Sequence, residues 1–424
     1  MTTHSAKSSS EPHSILDMQA FIQNWDMAQD LQQVLAQAQY RLALEIINAE
    51  VDALCGVRYE HDDLHGGRYQ RWGTNPGSIK IRSERFPIRV PRVRDPESRQ
   101  ERPLQTYKAM RRPTAAQQEH LSDSIFLGLF QRDYERVNRE FKESFGLSAS
   151  SVSRTFQEYS ATVLAQLEAR DLSQDTYVVL MLDGTHLKGR QVMLCAGITE
   201  GGVKHTLGFA ELATENADAV EGFLMKLVNQ GLSYDQGLLC VMDGAKGIRK
   251  AVRRVFGDYA QIQRCTWHKR ENVVGKIKKK KDQETLRRQL NNAYNQDTYE
   301  AAKEGLGSIY EALQTEGQHQ AARSLMEGME QTLTLHRLNV DKELRQSLRT
   351  TNIMEHLNSQ INDSLRRIKR WVNSDQCHRW VAMALKEAEP RLNPIQRTDQ
   401  LSALQETLRE QVQKHRLKST SNRL

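Results

Sequence analysis

Two acidic residues stand in the same setting. Asp183 closes the apolar run Tyr177-Val178-Val179-Leu180-Met181-Leu182, Asp243 closes Leu238-Leu239-Cys240-Val241-Met242, and a glycine follows each. Short unbroken apolar runs fit strands buried on both faces. Adjacent strands of that type would carry both carboxylates to one rim of a sheet. A hard cation such as Mg²⁺ takes oxygen ligands there and keeps several waters, so two or three carboxylates suffice. Glu355, in Thr350-Thr351-Asn352-Ile353-Met354-Glu355-His356-Leu357-Asn358, is the candidate third acid. Ile353, Leu357 and Ile361 mark the expected buried stripe of its helix, and Glu355 lies off that stripe with Asn358, Ser359 and Asn362. Each acid also has a plainer reading. Asp-Gly after a strand is a common turn, and Asn352 with Glu355 three residues on has the form of a capping box. The three together are more specific than any one. Cys265 and His268 are half a zinc site; no second pair is visible, so no zinc is expected.

The elements that must position these acids follow from periodicity. Strands are predicted at 177–182, 192–199, 204–211, 238–242 and 261–264, with Glu200-Gly201-Gly202 as a hairpin signal. Helices are predicted at 217–230 and 245–256. Three antiparallel strands followed by αβαβ is the order of the ribonuclease H-like fold. The fold class expected is therefore α/β: a ribonuclease H-like core, 171–268 in its first part, interrupted by a long all-helical insertion, 269–346. The core resumes in a Glu-bearing C-terminal helix, 347–389, followed by a polar, peripheral tail, 390–424.

Upstream, residues 1–14 read as a Ser-rich disordered leader and 15–55 as a helical region with an apolar side of Leu31, Val34, Leu35, Leu42, Leu44, Ile46 and Ile47. Residues 56–112 form a small, β-rich, basic module, in which Ser78–Arg82 and Phe86–Val90 alternate apolar with basic or polar positions. Residues 113–170 return to helix. Within them Tyr134–Phe145, Gly146-Leu147-Ser148 and Ala149–Tyr159 match helix-turn-helix geometry as well as they match an ordinary helical hairpin. In the first reading Ser151, Ser153 and Arg154 are candidates for contact with DNA.

The 424 residues carry a formal net charge of +7, unevenly spread. Lys80–Arg112 holds eleven Lys and Arg against four Asp and Glu, and Arg264–Lys281 holds eight against one. Two such runs favour a polyanionic partner over a merely solvated surface. Lys188, Lys246, Lys269 and Arg270 flank the motifs and are candidate phosphate contacts. Five scattered cysteines without a CxxC pair argue against a disulfide framework and for a reducing cytosol. No apolar run has the length of a membrane span, and the N-terminus lacks a signal-peptide core.

Four segments carry a family resemblance: Leu182-Asp183-Gly184-Thr185-His186-Leu187-Lys188, Val241-Met242-Asp243-Gly244-Ala245-Lys246-Gly247, Arg264-Cys265-Thr266-Trp267-His268-Lys269-Arg270-Glu271-Asn272, and Thr351–Asn358. With the Tyr69–Arg94 module, they resemble the Mutator-like, IS256-type group of DDE transposases over about Tyr59–Leu385. The resemblance implies that Asp183, Asp243 and Glu355 are a catalytic and metal-binding triad for Mg²⁺, or Mn²⁺ in its place. It also implies that Cys265 and His268 are the family's C/D-x-x-H motif and support the site. The partners implied are double-stranded DNA, as terminal inverted repeats and target, and further copies of the chain, a homodimer or higher, in synapsis, in a bacterial cytoplasm at the nucleoid. A ribonuclease H-like nuclease without strand transfer, or a helix-turn-helix regulator, are the alternatives.

Overall fold

The computed structural model describes residues 29–58, 68–81, 84–111, 118–119, 122–123, 126, 149–212, 216–366 and 368–421. The 1–14 leader, Ile15–Asp26 and the first helix and turn of the helix-turn-helix reading lie outside these. The chain divides into two compact units, Met1–Leu121 with Glu135–Ser153, and Ser122–Tyr134 with Arg154–Leu424.

In the first unit, helix α1 (Gln29–Cys55) packs on a hairpin of β1 (Gln70–Ile81) and β2 (Glu84–Arg94). A two-residue β3 (Glu101–Arg102) and a short α2 (Gln105–Met110) complete it. Ile47, Val51, Ile79, Ile88, Val93 and Leu104 form its core. This corrects the expected apolar side of α1: Ile47 is buried, but Leu35, Leu42 and Ile46 are exposed. The helix meets the hairpin through the stripe Ala36, Tyr40, Ala43, Ile47 and Val51, at helical spacing, and no partner among the described residues covers the opposite side.

The second unit is built on a five-stranded mixed sheet of β4 (Tyr177–Leu187), β5 (Arg190–Thr199), β6 (Lys204–Leu212), β7 (Leu238–Met242) and β8 (Ala260–Arg264). The spatial order is β6-β5-β4-β7-β8. β6, β5 and β4 pair antiparallel; β4, β7 and β8 pair parallel. Each parallel link crosses over through a helix, α4 (Ala217–Asn229) or α5 (Lys246–Phe256), as a parallel pair requires. β4 and β7 are buried along their apolar runs because they occupy the middle of the sheet.

Beyond β8, α6 (Thr266–Val274) leads into α7 (Lys280–Tyr294), α8 (Tyr299–Thr315) and α9 (His319–Met326). These helices bury a core of their own that includes Leu290, Leu306 and Leu325. No strand occurs among the described residues here. The chain returns along the outer edge of β8. Thr334 donates to the Ile262 carbonyl, and the Gln263 side chain bonds both the Thr332 carbonyl and the Leu335 amide. A sheet edge that would otherwise present unpaired groups is thereby closed.

Two corrections concern the C-terminal region. The Glu-bearing segment is two helices, α10 (Asn352–Ser364) and α11 (Ser374–Ala388), and the indole of Trp371 between them donates to the Leu187 carbonyl at 2.9 Å. Nor is the tail peripheral. Leu401, Leu404, Leu408 and Val412 of α12 (Thr398–Ser421) are buried, and Gln405 donates to the Gln236 carbonyl. Its apolar residues fall at the spacing of one helix face, which a polar average composition conceals.

Candidate active site

β4 does not stop at Asp183. It runs on to Leu187, and Asp183 sits opposite Leu194 of β5 with Gly184 opposite Met193. Asp183 is therefore a strand residue and not a turn. The strand continues because Lys188 (φ +51°) and Gly189 (φ +84°) supply a two-residue turn of the type that closes hairpins. What ends near Asp183 is the parallel ladder, whose last pair is Leu182 with Met242. Asp183 and Asp243 each follow that pair by one residue, on adjacent strands in the same register.

Asp243 does close a turn. Its Oδ1 accepts from the Ala245 amide at 2.8 Å, leading into α5. Gly244 is held by crowding: a Cβ there would collide with the guanidinium of Arg264. That guanidinium is buried and donates to the Glu327 carbonyl at 2.8 Å.

Glu355 sits in the first turn of α10. The N-cap is Thr351, with no side-chain capping bond, so the capping-box reading of Asn352 and Glu355 is not realised. Met354, Leu357 and Ile361 are the buried stripe, and Ile353 is only half-buried, one position away from the expected pattern. Glu355 Oε1 is buried with no hydrogen-bond partner among the described residues. One turn further, the Asn358 amide donates to Asp183 Oδ2 at 3.0 Å. From sequence, Asn358 is only a polar-face residue, with nothing to set it apart from Ser359 and Asn362.

Electrostatics ties the three acids together. Burial, first, raises the Asp183 carboxyl to about 6. His268 pulls against that rise, and the charges of Asp243 and Glu355 add to it. His268 is itself raised to about 9, chiefly by its hydrogen bond with Cys265, against burial, with help from the charges of Cys265, Asp183 and Asp243. Burial works to raise the Cys265 thiol, yet its bonds with His268 and Thr351 bring it below its ordinary value. Thr351, at the start of α10, lies 3.5 Å from both Cys265 Sγ and His268 Nδ1. Cys265 and His268 thus form a polarised pair beside the acids, positioned by the helix that carries Glu355.

The donor set suits a hard divalent cation: three carboxylates, two of which act on the charge of Asp183, and one of which has a buried, unbonded oxygen. Among the described residues no three His, Cys, Asp or Glu side chains converge into a ready-made metal cage. The carboxylates would have to draw together around a cation.

The basic candidates separate into two groups. Lys188 and Lys246 are exposed, as are Ser153 and Arg154 on α3 (Ala149–Glu168); Ser151 is in the same helix. Against expectation, Lys269 is withdrawn from solvent and Arg270 is half-buried and already bonded. Lys269 is 1% exposed and donates to the carbonyls of Ser324 and Glu327 at the end of α9. Arg270 is bonded to Glu271 and to Asn291 of α7. Lys269 ties the end of α9 to α6, because the last carbonyls of a helix need donors, and Arg270 ties α7 to α6 through the Asn291 side chain. All five cysteines are free.

The family model described as "Transposase, Mutator family" matches residues 10–392. The transposase for insertion sequence element IS6120 of Mycolicibacterium smegmatis is 35% identical over 159 residues, 36% of this chain and 48% of that protein. The transposase for insertion sequence element IS256 in transposon Tn4001 of Staphylococcus aureus is 23% identical over 77% of this chain and 83% of its own length. The transposase for ISRM5 of Rhizobium meliloti is 25% identical over 81% and 85%.

Proposed function

The chain belongs to the Mutator family of transposases, and from that premise we propose that it is the DNA transposase of an insertion sequence. In this reading it binds the element's terminal inverted repeats, cleaves at their ends and joins them to target DNA. Asp183, Asp243 and Glu355 are the catalytic triad, and the five-stranded sheet with its crossover helices is a ribonuclease H-like core. One observation carries the assignment most. The Asp183 carboxyl feels the charges of both Asp243 and Glu355, although the three come from a central strand, a turn and a distant helix.

Asp183, Asp243 and Glu355 would hold divalent cations, Mg²⁺ or Mn²⁺. When bound, these supply activation of an attacking water or 3′-hydroxyl and neutralisation of charge on the leaving oxygen. The chain's own residues supply the setting. Asn358 fixes the rotamer of Asp183 by donating to its Oδ2, and the Gly184 amide also donates to that carboxylate. The Asx turn fixes Asp243 in the same way. His268 places positive charge beside Asp183 and lowers the cost of keeping it ionised before DNA arrives. Cys265 is fully buried and is not a nucleophile for DNA.

Purified protein, Mg²⁺ and linear DNA bearing both ends of the element should yield cleaved and joined products. Asp243→Asn and Glu355→Gln should abolish both while leaving repeat binding in place. Cleavage without joining would support a nuclease instead, and binding without cleavage a regulator. Joining at full rate by Asp243→Asn would overturn the triad.

A further inference from the structure

The first unit carries an open groove of about 750 Å³ between β2, β3 and α2, lined by Arg92, Glu101, Arg102, Tyr107, Lys108 and Arg111 among others. We propose that this groove seats one phosphodiester strand of duplex DNA, and does so without reading its sequence. The proposal rests on the transposase reading and deepens it by naming a surface and a mode of contact.

Charge is the first argument. Glu101, the acid among the lining residues, is committed to Arg92 through two bonds, at 3.0 and 2.9 Å. Nearby Glu50 is committed to the amides of Gln105 and Thr106. Arg102, Lys108 and Arg111 are exposed, and no ion pair is seen for them among the described residues. The groove therefore presents three exposed cations that form no ion pair among the described residues, of which Arg102 shares its charge with Glu50.

Pre-organisation is the second. Arg102 lies over the Tyr69 ring at 4.6 Å and donates to its hydroxyl, and Arg111 lies over Tyr107 at 5.7 Å. Just outside the groove Arg94 lies over the exposed Trp72 at 4.5 Å. A guanidinium stacked on a ring keeps its donors available while losing less freedom when a phosphate arrives. Shape is the third. Base edges are read by elements that project into a groove of the DNA, a helix or a ribbon. A concave basic surface fits the convex phosphate strand, whose contacts position a protein without specifying sequence.

The test uses the full-length chain and two duplexes of equal length, one bearing a terminal repeat and one scrambled. Binding is followed by fluorescence anisotropy across salt concentrations. Replacing Arg102, Lys108 and Arg111 together by Gln should weaken binding to both duplexes by the same factor. It should reduce the slope of log K against log salt by about three, one per lost contact. Glu101→Gln, which frees Arg92, should act oppositely, tightening binding and steepening the slope. If the triple variant fails to fold, Lys108→Gln alone should reduce the slope by about one. An unchanged slope in a folded variant, or a loss confined to the repeat duplex, overturns the proposal. A wild-type chain that cleaves while the triple variant binds unchanged overturns the groove alone. A wild-type chain that binds neither duplex overturns the transposase reading with it.

Discussion

The side-chain amide of Asn358 donates to Asp183 Oδ2 at 3.0 Å across 175 positions of sequence. Asn358 lies one helical turn after Glu355, so the bond docks the helix bearing one acid onto the strand bearing another. A donor to an ionised carboxylate favours the ionised form. Asn358→Leu should therefore raise the Asp183 pKa further and move the acid limb of the cleavage profile to higher pH. Cleavage near pH 7 should fall about tenfold and recover partly at pH 8.5. A profile whose acid limb does not move would exclude this role for Asn358.

Asp183 itself sets a stability prediction. Its folded value, about 6, lies above the ordinary carboxylate value, so between the two the folded state binds more protons than the unfolded. The cation-free protein is accordingly most stable below the ordinary value and loses stability as pH rises to about 6. Asp183→Asn should flatten that loss and leave the cation-free protein more stable at pH 7, by on the order of 1–3 kcal/mol. Thermal melts in chelator at pH 4.5 and 7 measure it. A destabilised Asp183→Asn at pH 7 would count against it.

Gly244 and Arg264 give a steric prediction. A methyl at Gly244 meets the buried Arg264 guanidinium, which cannot withdraw without giving up the Glu327 carbonyl. Gly244→Ala should cost roughly 1–3 kcal/mol, the usual range for overpacking. It should also reduce cleavage, since Asp243 closes the same turn. Wild-type melting and activity in Gly244→Ala would show that the contact gives way freely.

Lys269 is lowered to about 8, first by burial and then by Arg264. Its folded value lies below its unfolded one, so between about 8 and the ordinary lysine value the unfolded state binds more protons, and stability gains a rising contribution with pH. Lys269→Met should remove that contribution. It should also leave two helix-end carbonyls without their donor, costing about 1–3 kcal/mol at pH 7.5. Denaturation curves at pH 7.5 and 9.5 decide: a variant that keeps the wild-type pH difference would reassign it to other groups.

Much of this architecture was legible because it rests on local rules. The runs ending at Leu182 and Met242 announce strands buried on both faces, and their order gives the helix crossovers. What escaped depends on contacts far apart in sequence. The apolar run places Asp183 at a strand end, but the partner that prolongs β4 is β5. Asn358 differs from Ser359 and Asn362 only through a neighbour 175 positions away. Lys269 and Arg270 sit in a basic run and so suggested phosphate, whereas the carbonyls closing α9 and the side chains of α7 claim them. In α1 the apolar residues fall on two sides, and sequence alone could not say which one meets the hairpin.

The helical segment between β8 and α10 places Glu355 far downstream of both aspartates, with a core of its own in between. Seen from the ribosome, this makes the order of events unequal. The sheet with both aspartates, and then the helical segment, can be complete while α10 is still unsynthesised. A nascent or prematurely ended chain would hold two acids of three, together with the basic first unit. On the proposed roles of the three acids and of the groove, it could occupy DNA but not cut it, so incomplete translation products would compete with the finished protein for the same sites.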